Sequence, residues 1–198
     1  MEKKRLTTPL REEDVRCLEV GDVVYLSGSI LTCRDMGHLR LKELCSQGAA
    51  LPKDFHGAVI FHAGPVALKD EAGDWFVDIV GPTTSIRMEA YADFVGGLGV
   101  RALIGKGGMA EDTEKACAQY GYVYFQAAPG CAAKLAEGIR AVNDVNWIEL
   151  GIPEAMWDLE ADCFGPLVVG IDTKGNSIYR NIREKGREQI NRLYPSEG

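Results

Sequence analysis

The sequence has few residues that bind metals, and they are not clustered. Its six cysteines stand at positions 17, 33, 45, 117, 131 and 163, and its three histidines at positions 38, 56 and 62. No Cys-x-x-Cys pair occurs, and the cysteine spacings are irregular, whereas a self-contained zinc or iron–sulfur site needs closely spaced ligands. The sequence therefore predicts no metal site on this chain.

The sequence also lacks an export signal and a membrane-spanning segment. The basic start, Met1-Glu2-Lys3-Lys4-Arg5, is not followed by the apolar stretch of a signal peptide. No apolar run approaches the length that crosses a bilayer. A disulfide framework is not expected in a chain of 198 residues without an export signal. We therefore expect a cytoplasmic protein whose cysteines are reduced and partly buried.

Positive charge is in short supply. The 22 lysines and arginines are outnumbered by 29 aspartates and glutamates, which gives a net charge of −7. This balance argues against nucleic acid or an anionic membrane as the main partner. Any anion site must be a local cluster of basic residues in an acidic protein.

No repeat and no linker rich in proline, glycine or serine divides the chain. Hydrophobic residues make up 46% of the sequence, which is enough for a substantial core. We therefore predict one domain over residues 1–198, with a core at about residues 10–180 and a C-terminal helix at 182–193.

Strand-like and helix-like segments alternate through the middle of the chain. Strands are predicted at 23–30, 57–63, 75–80, 98–104, 122–127, 139–147, 164–171 and 177–179. Helices are predicted at 10–18, 35–46, 86–95, 111–120, 130–137 and 182–193, followed by a frayed end at 195–198. The alternation predicts an α/β fold with a mixed, partly parallel sheet.

Three polar turns that contain glycine follow predicted strands. Their sequences are TCRDMGH at 32–38, GPTTSIRM at 81–88 and GKGGM at 105–109. Together they contribute two arginines, one lysine and several hydroxyl groups. Such groups bind small anions, most simply a carboxylate.

The second turn places free backbone N–H groups at the start of a predicted helix, where the helix dipole favours an anion. Arg87 lies in the first helical turn, where the dipole disfavours a cation, and a bound carboxylate would explain its presence. The alternative is that Thr83, Thr84 or Ser85 caps the helix and that Arg87 is a surface residue. The local sequence leaves both interpretations open.

The third turn carries Lys106 between glycines, which let the backbone approach a ligand closely. It is not a P-loop, because the GxxxxGK[ST] spacing is absent. The alternative is a solvated lysine in a flexible turn.

The first turn carries an adjacent Arg34-Asp35 pair at a strand-to-helix junction. In the functional interpretation, Asp35 holds the helix start, Arg34 points into a cleft, and Asp35 orients the ring of His38 one helical turn later. In the alternative, the pair is a cap with a local ion pair, which contributes about 0–1 kcal/mol when exposed, and His38 is structural.

Two other reactive side chains were considered. Cys131 follows Gly130 at a predicted helix start, which would stabilise a thiolate, but no base is evident and close helix packing is the favoured interpretation. His62 closes a predicted core strand and is expected to be a half-buried histidine with its hydrogen bonds satisfied.

The motifs become specific in combination. In chain order the sequence has T-x-R-D-x-x-H at 32–38, A-G-P at 63–65, G-P-T-T-S-x-R-M at 81–88 and K-G-G-M at 106–109. This series resembles the β subunit of iron–sulfur-dependent class I fumarate hydratase and of L-tartrate dehydratase, and the C-terminal domain of single-chain class I fumarases. The resemblance runs from about residue 10 to residue 179, and its most specific part is residues 81–88.

The resemblance implies a swivelling three-layer β/β/α domain and a partner, the α subunit, which carries a [4Fe–4S] cluster on its own cysteines. It also implies an active site between the two subunits of a heterodimer, in an assembly of one heterodimer or of two. The implied reaction is the reversible loss of water from a 2-hydroxy dicarboxylic acid. The iron acts as a Lewis acid on the leaving hydroxyl, and preorganised cations stabilise the charge that builds on a substrate carboxylate.

The resemblance also assigns roles to residues of this chain. Arg34, Arg87 and Lys106 match the ligands of the substrate carboxylates, and Thr83 matches the threonine near the transferred proton, with Thr84 as the alternative. Catalytic roles are thus implied for Thr83, Lys106 and Arg34. Met36-Gly37 replace a common pair of alanines and His62 replaces a common tyrosine, so the substrate stays open among fumarate and malate, which are favoured, tartrate, and methyl-substituted analogues.

Three classes of function compete. The leading hypothesis is a hydro-lyase subunit that is inactive alone. The second is a stand-alone module that binds a small dicarboxylate without catalysis. The third is a cysteine-dependent enzyme built on Cys131. A gene for a cysteine-bearing partner next to this one would favour the first.

Overall fold

The computed structural model describes residues 3–194. The predicted frayed end at 195–198 and the first two residues lie outside this range. Within it, no helix combines the length and apolar character that a membrane crossing requires.

The described chain contains nine strands and six α-helices. The strands are β1 (Lys3–Thr7), β2 (Val23–Thr32), β3 (Val59–Phe61), β4 (Val66–Lys69), β5 (Trp75–Ile79), β6 (Ala102–Gly105), β7 (Val123–Ala127), β8 (Ile139–Asn146) and β9 (Met156–Ile171). The helices are α1 (Glu12–Arg16), α2 (Asp35–Ser46), α3 (Ala92–Gly97), α4 (Glu111–Tyr120), α5 (Ala132–Ala136) and α6 (Ile178–Leu193). Two 3-10 helices span Ser85–Tyr91 and Ile148–Leu150.

Seven strands form one mixed sheet in the order β1-β2-β3-β6-β7-β9-β8. The first five strands in this order pair in parallel, and the long strand β9 runs antiparallel to β2, β7 and β8. Because β9 pairs with both β2 and β7, the strands β2, β3, β6, β7 and β9 form a closed ring of pairings. The predicted α/β class with a mixed, partly parallel sheet is confirmed.

Two apolar cores lie on opposite faces of the parallel strands. Side chains alternate along a strand, so Val59 and Phe61 of β3 enter one core while Ile60 enters the other. The first core contains the large side chains of Trp157 and Phe164 from β9. The second core draws the following side chains from α2, α3 and α4: Leu41, Val95, Ala116 and Cys117.

Two helices have the bounds that the sequence predicts, residues 35–46 and 111–120. Helix α4 ends at Gly121, whose φ of 68° is the left-handed conformation that favours glycine at a helix end. The predicted strands at 23–30, 75–80, 122–127 and 139–147 are also confirmed to within about two residues.

Other boundaries were wrong. The predicted helix at 86–95 is a 3-10 helix from Ser85 to Tyr91 followed by the short α3, and the predicted strand at 98–104 begins only at Ala102. The predicted strand at 177–179 is wrong, because the Ser177 hydroxyl accepts the N–H of Arg180 (3.3 Å) and α6 begins at Ile178. The terminal helix therefore starts four residues before the predicted 182.

Three strand segments were missed. β1 and β4 are short, and the first half of β9 contains Asp158 and Asp162, which interrupt its apolar pattern. Asp158 is buried in the sheet because Ser29 donates to it (2.6 Å) and Lys53 pairs with it (3.0 Å). Partners 105 and 129 residues away in the sequence cannot be inferred from a local pattern.

Candidate functional site

The predicted turns meet at one edge of the sheet. β2, β3 and β6 are parallel, so their carboxyl ends lie at the same edge. The turn at 81–85 crosses this edge. The N–H of Thr83 donates to the carbonyl of His62 (2.7 Å), the N–H of Lys106 to that of Thr83 (3.2 Å), and the N–H of Ser85 to that of Lys106 (3.1 Å).

Arg87 lies at the centre of the site. Its Nε and Nη2 donate to the two carboxylate oxygens of Asp35 (3.0 and 2.9 Å), and Nη2 also donates to Oγ1 of Thr83 (3.1 Å). The paired guanidinium lowers the pKa of Asp35, and the carboxylate raises the pKa of Arg87. Two predicted site residues, Arg87 and Thr83, are thereby in direct contact.

Arg34 is the residue before α2 and pairs with Glu154, an acid that no local pattern marks as a partner. Its Nη2 lies 3.2 Å from a carboxylate oxygen of Glu154, and the other oxygen of Glu154 accepts the N–H of Met36 (3.1 Å). A Cβ on Gly64 would lie 2.7 Å from Nη1 of Arg34, so glycine leaves room for the guanidinium. The alternative interpretation, a local Arg34–Asp35 ion pair, is not borne out, because Arg34 pairs with Glu154 and Asp35 pairs with Arg87.

Lys106 and Thr84 face each other across a parallel bridge between their two turns. No side chain in residues 3–194 accepts a hydrogen bond from the Lys106 ammonium or forms an ion pair with it. Thr84 is exposed, precedes the 3-10 helix, and makes no side-chain capping bond. The alternative in which a hydroxyl of this turn merely caps the helix is therefore not supported at Thr84.

Three cations and two carboxylates meet at this edge. The cations are Arg34, Arg87 and Lys106, and the carboxylates are Asp35 and Glu154. The cluster has a surplus of positive charge in a chain with a net charge of −7. Such a cluster favours a small anion over a cation.

His38 is buried beneath the first turn. Its Nδ1 lies 2.8 Å from the carbonyl oxygen of Arg34 and 3.4 Å from Sγ of Cys33. Burial lowers the pKa of His38 to about 4, so its ring is neutral at neutral pH. The expectation that Asp35 orients this ring is wrong, because the backbone carbonyl of Arg34 occupies Nδ1.

His62 is fully buried rather than half-buried, which corrects the expectation from its position at a strand end. Its Nδ1 lies 2.9 Å from Oγ of Ser85, and its Nε2 has no partner among residues 3–194. Burial is the main cause that lowers its pKa, and the neighbouring His38, 5.4 Å away between ring centroids, adds to it. The His62 ring is therefore neutral, and only one of its two nitrogens has a hydrogen-bond partner among residues 3–194.

The cysteines do not build a second site. All six are free, and Cys131 is exposed at the start of the five-residue helix α5. Ala132, the next residue, packs closely against the turn, since a Cβ on Gly81 would lie 2.7 Å from its Cβ. Within residues 3–194, no three side chains of His, Cys, Asp or Glu are grouped so that they would hold a metal ion.

Sequence reasoning missed Glu154 and Ser85 as parts of this site. Ser85 belongs to the predicted turn at 81–88, but its buried contact with His62 joins residues that are 23 positions apart in the sequence. Glu154 precedes β9 and is 118 residues from Met36, its backbone donor. No local pattern marks such a residue.

Comparison with known proteins supplies independent information. Residues 2–182 match the family described as Fumarase C-terminus. The chain is 44% identical over 178 residues to the L(+)-tartrate dehydratase subunit beta of Escherichia coli K12, with 89% of this chain and 86% of that protein covered.

Two further relatives extend the comparison. A Methanocaldococcus jannaschii protein, provisionally named L(+)-tartrate dehydratase subunit beta, is 43% identical over 93% of this chain and 95% of its own length. A Geobacillus stearothermophilus protein, provisionally named fumarate hydratase class I, is 45% identical over 95% of this chain, which corresponds to 36% of that protein.

Proposed function

The chain belongs to the fumarase C-terminal family, and from this premise we propose that it is the β subunit of a hydro-lyase that reversibly eliminates water from a small dicarboxylate. The observation that carries the proposal is the convergence of Arg34, Thr83, Arg87 and Lys106 at the carboxyl ends of three parallel strands. The related β subunits of tartrate dehydratase and the class I fumarate hydratase support the reaction class.

The cations bind the carboxylates of the substrate. Asp35 and Thr83 take three of the five N–H groups of Arg87, and no residue within 3–194 accepts the two hydrogens on Nη1. Asp35 therefore fixes the guanidinium while its Nη1 edge stays open to a substrate oxygen. Lys106 supplies a second charge, which no side chain of residues 3–194 pairs with.

Thr83 moves the proton in this proposal. A threonine hydroxyl is a weak base, and a cation that donates a hydrogen bond to its oxygen stabilises the deprotonated form. Arg87 Nη2 makes this contact at 3.1 Å. In the elimination direction, the deprotonated Thr83 oxygen takes the proton from the carbon next to a carboxylate, the C–H electrons form the double bond, and the C–O bond breaks to release hydroxide. The proton held by Thr83 then passes to the hydroxide, directly or through solvent water, which gives water and restores the base. Thr84 is the alternative base.

Arg34 and Lys106 stabilise the transition state. As the C–H bond breaks, negative charge builds on the adjacent carboxylate, and cations already in place lower the barrier without reorganisation. Glu154 holds Arg34 at 3.2 Å, and backbone bonds on both sides of Lys106 hold its turn. Roles in catalysis are therefore assigned to Thr83, Lys106 and Arg34, and roles in binding to these three with Thr84 and Arg87.

The proposal places a [4Fe–4S] cluster on an α subunit. The described part of this chain offers no group of cysteines that fits such a cluster, since Cys33 and Cys117 are buried and the other four are dispersed. When bound on the partner, the cluster supplies a Lewis acid for the leaving hydroxyl. The beta-subunit names of the relatives support a partner, and the proposed assembly is a heterodimer or a pair of heterodimers.

The architecture, the compartment and the substrate complete the proposal. A core covered by α2, α3 and α4 on one face of the sheet and a second core on the other face support a swivelling three-layer β/β/α unit. A sheet that takes strands from Lys3 to Ile171 supports one domain over residues 1–198. Six free cysteines suit a reducing compartment such as the cytoplasm. Fumarate or malate is the proposed substrate, with tartrate next.

The test is hydratase activity of the chain alone and after anaerobic co-expression with its α subunit, with fumarate, malate and tartrate as substrates. Activity only in the mixture supports the proposal and identifies the substrate. Absence of turnover in a mixture with an intact cluster contradicts it. In that case, calorimetric binding of a dicarboxylate to the chain alone would support the non-catalytic module instead.

A further inference from the structure

A buried polar pair lies under the site and has no part in the mechanism above. His62 and Ser85 are both fully buried, and Nδ1 of His62 lies 2.9 Å from Oγ of Ser85. The pair connects the end of β3 with the turn that carries Thr83.

The backbone of the same two residues holds the catalytic turns. The carbonyl of His62 accepts the N–H of Thr83 (2.7 Å), and the N–H of His62 donates to Ile104 of β6 (2.8 Å). The N–H of Ser85 donates to the carbonyl of Lys106 (3.1 Å). The hydrogen bond between the His62 and Ser85 side chains thus joins, beneath the site, the segments that carry the proposed base Thr83 and the proposed cation Lys106.

The packing around Ser85 leaves room for this bond because residue 105 is glycine. A Cβ on residue 105 would stand 1.6 Å from Oγ of Ser85, so only glycine lets the hydroxyl reach His62. The glycine of the Gly105-Lys106 sequence therefore makes room for the His62–Ser85 hydrogen bond and also belongs to the turn that carries Lys106.

A histidine is a poor choice for stability at this position. Its Nε2 is buried without a partner in residues 3–194, and an unsatisfied buried polar group costs free energy that an apolar side chain would avoid. Burial and His38 keep the ring neutral, so no ion pair compensates. The feature that remains in favour of histidine is the Nδ1 contact with Ser85.

We propose that His62 is a positioning residue that, through Ser85, fixes the Thr83 hydroxyl and the Lys106 turn for proton transfer. The inference rests on the proposed hydro-lyase activity. It predicts that His62 and Ser85 act as one unit and that their loss affects the chemical step more than substrate binding.

The test uses the assembled enzyme with five variants: His62→Leu, His62→Asn, Ser85→Ala, the double variant His62→Leu/Ser85→Ala, and the exposed control His56→Asn. We expect kcat to fall about tenfold in His62→Leu and in Ser85→Ala, with KM within about threefold, and no further loss in the double variant. His62→Asn keeps a polar atom near the place of Nδ1 and should recover most of the activity.

A second readout separates positioning from simple destabilisation. With substrate deuterated at the carbon that loses the proton, the isotope effect on kcat should rise in His62→Leu and Ser85→Ala, because a misplaced base slows proton transfer. A merely structural role would lower the amount of active enzyme without changing the isotope effect. Unchanged kcat and isotope effect in both single variants, or losses that multiply in the double variant, would overturn the proposal.

A third measurement does not depend on turnover. Amide hydrogen exchange of the chain alone should accelerate about tenfold at Thr83, Ser85 and Lys106 in Ser85→Ala, and not at Val123, whose N–H is bonded to Arg101. If wild-type enzyme turns over no dicarboxylate, the proposed function fails while this exchange result still decides whether the pair holds the turns. Unchanged exchange at the three amides would refute the positioning role.

Discussion

Some N–H groups of the Arg87 guanidinium bind protein side chains, and the others remain free of partners among residues 3–194 at the open site. Two N–H groups hold the carboxylate of Asp35, a third contacts Thr83, and those on Nη1 remain free of partners in the described chain. A planar fork with five donors can do this, whereas an ammonium is a single point charge. In the proposed function, this arrangement connects substrate binding at Arg87 with the proposed base Thr83.

Arg87→Lys should lower kcat/KM about 10²-fold or more, since lysine cannot hold Asp35, Thr83 and a carboxylate at once. Steady-state kinetics of the assembled enzyme would measure this, with Arg187→Lys on the exposed face of α6 as the matched control. Turnover of Arg87→Lys equal to that of the control would show that the fork is not used.

Thr83→Val should reduce kcat by about 10²-fold or more, because proton transfer by a positioned group contributes roughly that factor. Thr83→Ser keeps the hydroxyl and should retain much more of the activity. Near-normal turnover of Thr83→Val would exclude Thr83 as the base, and a parallel loss in Thr84→Val would then assign the role to Thr84.

Acid should destabilise the chain through His38. Its folded pKa is about 4, below the ordinary value near 6.5, so the unfolded chain binds the proton first. The contribution of neutral His38 to the free energy of unfolding is complete above about pH 6.5. It is lost as the pH falls towards 4, and the free energy of unfolding drops by about 3 kcal/mol in total.

Urea unfolding of the wild type and of His38→Asn would measure this effect. The variant removes the titrating group, so its free energy of unfolding should fall less, by about 2 kcal/mol, between pH 7 and pH 4.5. Equal losses in the two proteins would show that His38 is not the responsible group.

At the scale of elements, the site depends on where β2, β3 and β6 end. One residue or turn follows each strand at the same edge of the sheet. The turn at 81–85 is joined by backbone hydrogen bonds to the segments that follow β3 and β6. The sequence allowed α2, α4 and the three turns to be predicted because glycine and apolar spacing mark them locally. It did not allow Glu154 or the His62–Ser85 contact to be predicted, because these depend on pairing across the sheet.

Gly105→Ala should disturb this crossing. The new Cβ would overlap Oγ of Ser85 at 1.6 Å, between two hydrogen-bonded turns. We expect activity to fall about tenfold or more and the free energy of unfolding to fall by about 1–3 kcal/mol.

Gly186→Ala in exposed α6 is the matched control. No atom lies within 4 Å of its added Cβ, so it should keep full activity and gain up to about 1 kcal/mol of stability. Activity assays and urea unfolding of both variants would compare them, and wild-type behaviour of Gly105→Ala would mean that the turns tolerate a shift.

At the scale of the whole molecule, β9 determines how the fold closes. It pairs with three strands and brings Trp157 and Phe164 into the first core. The sequence indicated only its second half, from residue 164, so the closed ring could not be predicted although the mixed sheet could.

Trp157→Ala should be among the most damaging core substitutions. The ring is fully buried, stacks edge-on with Trp75 at 5.2 Å, and donates from Nε1 to the carbonyl of Ile152 (2.8 Å). We expect a loss of about 3–5 kcal/mol in the free energy of unfolding.

Tyr194→Ala, at a residue that is 77% exposed, should change the free energy of unfolding by less than about 0.5 kcal/mol. Chemical denaturation of the two variants side by side would show the difference. A loss below about 1 kcal/mol for Trp157→Ala would contradict the central role of β9 in the core.

The ring of pairings also imposes an order on folding during synthesis. Domains fold as their segments emerge from the ribosome, N-terminal parts first. The three turns of the site are complete once residue 109 has emerged, but Glu154, which holds Arg34, and β9, which joins β2 to β7, come later. A nascent chain therefore carries its basic turns without Glu154 and a complete β9 until Ile171 has been made. A ribosome that stalls before that residue leaves an unclosed sheet, and two of its strand edges are free to pair with other chains.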